Sequence, residues 1–210
     1  MGDVGLLSVL GLGLLLGIKH AIEPDHVIAV STIASRSKRL MHSTMTGVFW
    51  GIGHTFTMFL LGMVVILMKE EIPPVWAESL EALVGGMLIY FGISTFFSYR
   101  KIDRRQDSSK EGNPRSHWTS AFMGFIHGLA GSAALVLLTM SSVDHVGQGA
   151  LFILIFGVGT IVGMLLFTTL IGLPFVMTRK KFRMNKVFAQ AAGIISMVYG
   201  IYYISSIYTG

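Results

Sequence analysis

GIKHAIEPDHVIAVSTI, residues 17–33, sets Lys19, His20, Glu23, Asp25 and His26 inside an oily segment, with Pro24 among them. Upstream runs VGLLSVLGLGLLL (4–16), and downstream the apolar character continues to Ala34. An Asp, Lys or Arg at the centre of a membrane helix costs roughly 2.5–3.5 kcal/mol on insertion scales, so such groups persist where they face a cavity or a partner. Pro24 removes an internal hydrogen bond and clashes with the preceding turn, so the segment is expected to break or kink there.

The surrounding composition decides that this is a membrane segment. The chain has 210 residues, 52% hydrophobic and only 13% charged, with a mean hydropathy of +0.68. Soluble domains carry about 25% charged residues. Six stretches read as spans: about 4–35, 44–68, 78–99, 119–141, 149–177 and 187–208. Each is long enough for the roughly 20 residues a bilayer needs, and the first is too long for one straight helix. The expectation is an all-α polytopic membrane protein, a single transmembrane domain over 1–210. The N-terminus, MGDVGLLSVLG, lacks a positive n-region and reads as the start of the first span rather than a cleaved signal.

With six spans, fourteen of the 16 basic residues fall on one side. They are Arg36, Lys38 and Arg39 after the first span; Arg100, Lys101, Arg104, Arg105, Lys110 and Arg115 after the third; and Arg179, Lys180, Lys181, Arg183 and Lys186 after the fifth. That side is the cytoplasm by the positive-inside rule, and both termini then face outward. Glu70, Glu71, Glu78, Glu81 and Asp144 fall on the other side. Topology also accounts for the net charge of +5 without nucleic acid. Residues 101–118 read as a solvated linker.

The halves echo each other. GIKHAI (17–22) matches GFIHGL (124–129), GIGHTFTMFL (51–60) matches GVGTIVGMLL (157–166), and GGMLIYFGI (85–93) matches GIISMVYGI (193–201). The offsets are 107, 106 and 108, which suggests a duplicated three-span unit: repeat 1 over about 1–100, the linker, and repeat 2 over about 119–210. An odd number of spans inverts the second copy, and transporters built this way hold their site at the repeat interface near the midplane. Gly13/Gly17, Gly47/Gly51, Gly124/Gly128 and Gly159/Gly163 are GxxxG pairs that allow close helix packing.

Imidazole with carboxylate suits divalent Ni, Co, Zn, Cu or Fe, and the absence of cysteine excludes thiolate sites. The candidate metal-binding residues are His20, Glu23, Asp25, His26, His54 and His127. On an unbroken helix His20 and Asp25 would point about 140° apart, at roughly 100° per residue. A break at Pro24 lets neighbouring positions turn toward a shared centre. Glu23 reads as a ligand, a proton carrier or an i,i+4 partner of Lys19, and Asp25 as a ligand or an acceptor that orients a histidine. Met58, Met87, Met123 and Met164 read as packing rather than as soft ligands; Trp76 and Trp118 read as interface anchors, and so does Trp50, although it sits deep in its span for one. His42, His117 and His145 fall in loops or at span ends.

HAIEPDH (20–26) has the form H-x4-D-H and resembles the signature of the nickel/cobalt transporter family. GIGHTFTMF (51–59) is similar to that family's second histidine segment, and GFIHGLAGSAAL (124–135) to the short, urease-associated UreH-type members. The resemblance implies a permease carrying Ni²⁺ or Co²⁺ across the bacterial cytoplasmic membrane, usually inward, with the metal as substrate and no cofactor. It implies metal selection by His20, Asp25, His26 and His54, and a link to urease or hydrogenase metal supply. The longer permeases carry an extra helix before the signature, whereas the sequence here begins with the signature helix. Export of the same metals and a non-transporting metal-binding assembly subunit remain open. No H-E-x-x-H and no recognised serine nucleophile is present, so an enzyme is not expected.

Overall fold

The computed structural model describes residues 3–35, 37, 39–68, 73–102, 117–130, 145–178 and 181–209. Among these residues there are seven helices and no strand. They are α1 (Asp3–His20), α2 (Pro24–Ala34), α3 (Leu40–Met68), α4 (Pro74–Ile102), α5 (117–130), α6 (Val146–Met177) and α7 (Phe182–Thr209). Four helices, α3, α4, α6 and α7, contain stretches long and apolar enough to cross a membrane, and α1 with α2 makes a fifth as a bent pair. The chain is an integral membrane protein by this measure. The expected second half of the fourth span (131–141), most of the linker (103–116), and Glu70, Glu71 and Asp144 lie outside the described residues.

The first span breaks where the proline sits. α1 and α2 meet at 53°. Ile22 N–H donates to Lys19 O (3.1 Å) and Glu23 N–H to His20 O (3.0 Å), tightening the end of α1 into single turns. Glu23 is extended (φ −61°, ψ 146°), and Pro24 opens α2, where its missing N–H costs nothing. Val27 N–H then donates back to Glu23 O (3.0 Å) and starts the new helix. The break overturns one expectation. Among the described residues no Lys19–Glu23 ion pair forms, because the two lie on opposite sides of the interruption; Lys19 is exposed and Glu23 turns to His20.

Packing follows membrane rules. Large apolar side chains such as Leu60, Ile93, Leu154 and Val198 face outward, where lipid covers them. The interior holds small and hydroxyl residues whose polar atoms go to helix carbonyls. Thr57 Oγ1 donates to Gly53 O (3.0 Å) and lies 2.9 Å from Phe125 O on α5. Ser196 Oγ on α7 donates to Leu88 O on α4 (2.7 Å).

Glycines bring the backbones together. α1 rests on α6 through Gly17 against the Phe156 carbonyl and Gly159 against that of Leu14. α5 rests on α3 through Gly124 against Trp50 and Gly53 against Ala121. On α4 and α7, a Cβ at Gly200 would stand 2.7 Å from Gly85 O, and one at Gly193 2.8 Å from Gly92 O.

Trp50 departs from the anchor reading. It is fully buried, whereas Trp76 and Trp118 are exposed as anchors require. Met58 and Met164 lie inside apolar clusters, and Met87 and Met123 pack against one of them.

Candidate metal centre

Four histidines and two carboxylates from the six expected positions gather beside the break in the first span. α1 ends with His20, α2 begins with Asp25 and His26, α3 supplies His54 and α5 supplies His127. His26, His54 and His127 are each no more than 2% exposed. His26 is the hub. Its ring centroid lies 4.6 Å from His20, 4.9 Å from His54 and 4.2 Å from His127.

The hydrogen bonds fix a consistent set of tautomers, because a carboxylate only accepts. Asp25 receives Nε2–H of His127 at 2.8 Å on one oxygen and Nδ1–H of His26 at 3.3 Å on the other. Glu23 receives Nδ1–H of His20 at 2.9 Å. The His20 Nε2 lone pair then accepts Nε2–H from His54 at 3.0 Å. This leaves His26 Nε2, His54 Nδ1 and His127 Nδ1 buried with no hydrogen-bond partner. A buried, unpaired polar atom is expensive, and a cluster of three beside one carboxylate suits a cationic guest.

Potential ligand atoms fall into two adjoining triads that share His26. One is His20, His26 and His54; the other is Asp25, His26 and His127. Within each, the ligand atoms lie within 4.8 Å of one another. The structure thus divides what the sequence suggested as one set. His20 and Asp25 do not share a triad, while His127, expected as the repeat counterpart of His20, joins Asp25 directly. Glu23 is half-exposed and orients His20.

Four residues were not singled out by sequence as part of this region. Phe156 packs at 5.4 Å from the His20 ring, and Trp50 at 5.6 Å from His127. Farther off, the His42 and His117 rings stand 5.3 Å apart between α3 and α5. Only the i,i+4 spacing of His42, Thr46, Trp50 and His54 hinted that these residues share a face.

With this geometry in hand, comparison with known proteins places the chain. The family model described as a cytochrome c biogenesis protein transmembrane region matches residues 28–202, beginning just beyond His26. The urease accessory protein UreH of Bacillus sp. (strain TB-90) is 53% identical over 214 residues, covering 97% of this chain and 93% of that protein. The chain belongs to the UreH family. The UreH family falls among the nickel/cobalt transporter-like proteins, as the H-x4-D-H pattern implied. A Methanocaldococcus jannaschii protein, provisionally named a nickel/cobalt efflux system, is 28% identical over 152 residues, covering 69% of this chain and 67% of its own length. The chloroplast protein FOR GROWTH AND FERTILITY 1 of Arabidopsis thaliana is 26% identical over 189 residues, 80% of this chain but half of that protein. No solved structure matches. The printed names of these relatives are those of accessory, efflux and chloroplast growth proteins, and the matching family model describes a membrane region rather than an enzyme family.

Proposed function

We propose that the chain is a carrier that moves divalent transition-metal ions, Ni²⁺ or Co²⁺, inward across the cytoplasmic membrane. The observation that supports it best is the buried cluster of four histidines and Asp25 at the break in the first span. A packed membrane core has no use for so many imidazoles with unpaired nitrogens, whereas these metals favour such donors. The 3.0 Å between His20 Nε2 and His54 Nε2 also suits two donors bound at about 2.1 Å and about 90° apart; a tetrahedral pair would stand about 3.4 Å apart. In the structure the two nitrogens share an N–H···N hydrogen bond. An ion between these atoms needs both Nε2 lone pairs, so on binding His54 takes the other tautomer, with its proton on Nδ1, the nitrogen that has no hydrogen-bond partner here.

The single domain consists, on this reading, of two inverted three-helix repeats with both termini outside. The glycine contacts support it. Exchanging the halves carries one pair of contacts onto the other: adding 107 to Gly17 and subtracting 106 from Phe156 gives Gly124–Trp50, and adding 106 to Gly53 and subtracting 107 from Ala121 gives Gly159–Leu14. The name of the Bacillus relative supports a link to urease metal supply.

The test is Ni²⁺ and Co²⁺ flux into proteoliposomes. Flux in the wild-type chain and its loss in His54→Ala and His20→Ala are expected; undiminished flux in both variants refutes the site. Export of the same metals is the second reading, favoured by the efflux name of the archaeal relative. Metal tolerance separates them: an importer sensitises cells and an exporter protects them.

A further inference from the structure

A polar seam leads away from the metal centre between α3 and α5. On α3, His42, Thr46, Trp50 and His54 follow one another at i,i+4 and so share one stripe. On α5, His117, Ser120, Gly124 and His127 recur at three- and four-residue steps. The two stripes face each other. Gly124 rests on Trp50, the Phe49 ring stacks on His117 at 4.9 Å, and the His42 and His117 rings stand 5.3 Å apart at the far end. Thr46 and Ser120 are buried along the seam. His117 Nδ1 is buried with no hydrogen-bond partner.

Distance gives this histidine pair its place. His42 lies twelve residues from His54 and His117 ten from His127, so the pair is about 15–18 Å along the helices from the centre. Half of a hydrocarbon core is about 15 Å. A centre at the midplane puts the pair at the membrane surface. Arg39 precedes His42 by three residues and Arg115 precedes His117 by two, which marks this surface as the basic one.

We infer that His42 and His117 form a second, weaker site for the same divalent cation, a release station on the cytoplasmic face. This rests on the carrier reading above. Two imidazoles from two helices can clip one ion, and the cluster at the centre offers more donors. The basic flank lowers affinity further, so an ion leaving the centre meets a weaker site before water. Trp50, fully buried between the two stations, separates them in this conformation.

The experiment is equilibrium dialysis of Ni²⁺ against the full chain, without an affinity tag, in lipid nanodiscs, beside uptake in proteoliposomes. The wild type is expected to bind in two phases at least tenfold apart. His42→Ala and His117→Ala each remove the weak phase alone and slow uptake about tenfold, while His54→Ala removes the tight phase and keeps the weak one. His117→Phe retains a ring to stack on Phe49 but no nitrogen, so lost weak binding at unchanged thermal stability reports ligation. A weak phase that survives in both His42→Ala and His117→Phe overturns the inference. Absent uptake in a wild type that binds in two phases overturns the carrier reading and leaves the pair intact.

Discussion

Gly128 on α5 lies against the α3 backbone at the candidate metal centre. A Cβ placed there would stand 2.7 Å from His54 O, 3.0 Å from Thr57 Cβ and 3.2 Å from His54 Cα. Ordinary contact begins at 3.4 Å, so Gly128→Ala must part the helices by about 0.7 Å against a carbonyl that cannot rotate away. Overpacking of this kind costs about 1–3 kcal/mol. The displacement falls on His54 and, next in the chain, on His127. Metal–ligand distances tolerate only about 0.2 Å, so Ni²⁺ affinity is expected to drop about 10–100-fold. Gly86→Ala is the control. Its Cβ meets nothing within 4 Å, and alanine in a helix is favoured over glycine by about 0.5–1 kcal/mol. Thermal unfolding in detergent and Ni²⁺ dialysis on both variants check the prediction. Gly128→Ala that unfolds with Gly86→Ala and binds Ni²⁺ like wild type would refute the reasoning.

Asp25→Asn keeps the shape but not the charge, so one of its two histidine bonds loses a carboxylate acceptor; Ni²⁺ uptake is expected to fall at least tenfold while the chain stays folded, read by flux and size-exclusion profile. Glu23→Gln leaves an acceptor for His20 Nδ1 at a half-exposed position, so a loss of less than threefold in Ni²⁺ affinity is expected. Pro24→Ala restores the donor that the break lacks, and uptake is expected to drop as α1 and α2 gain helical content across residues 21–23, detected as slowed amide exchange there.

Much of this molecule is legible in its sequence because lipid leaves few options. A backbone in hydrocarbon must pair internally, so long apolar runs become helices, and α3, α4, α6 and α7 lie where hydropathy put them. The break was legible in Pro24 for the same reason. Which donors share a triad was not. Periodicity placed His20 and Asp25 on one helix but carried no information on the 53° bend, which joins Asp25 to His127 and leaves His20 to His54. Trp50 was only partly legible: its depth already spoke against an anchor, but position along a span does not reveal which side faces protein. Its burial depends on Gly124, a residue 74 positions away. Lys19 and Glu23 failed as a pair because i,i+4 logic requires an uninterrupted helix.

The hinge at residues 21–23 has donors on both of its arms: His20 ends one helix, and Asp25 and His26 begin the next. Bend angle and donor geometry are therefore one mechanical variable. With a reach of about 7 Å from hinge to His26 ring, a 10° flex moves that ring by about 1.2 Å, several times what a metal–ligand bond allows. On the carrier reading, an ion held by His20 and His26 together would act as a splint across the joint, and straightening the joint would pull its grip apart. The same proline that lets the donors meet makes their meeting reversible by a small rotation of a short helix.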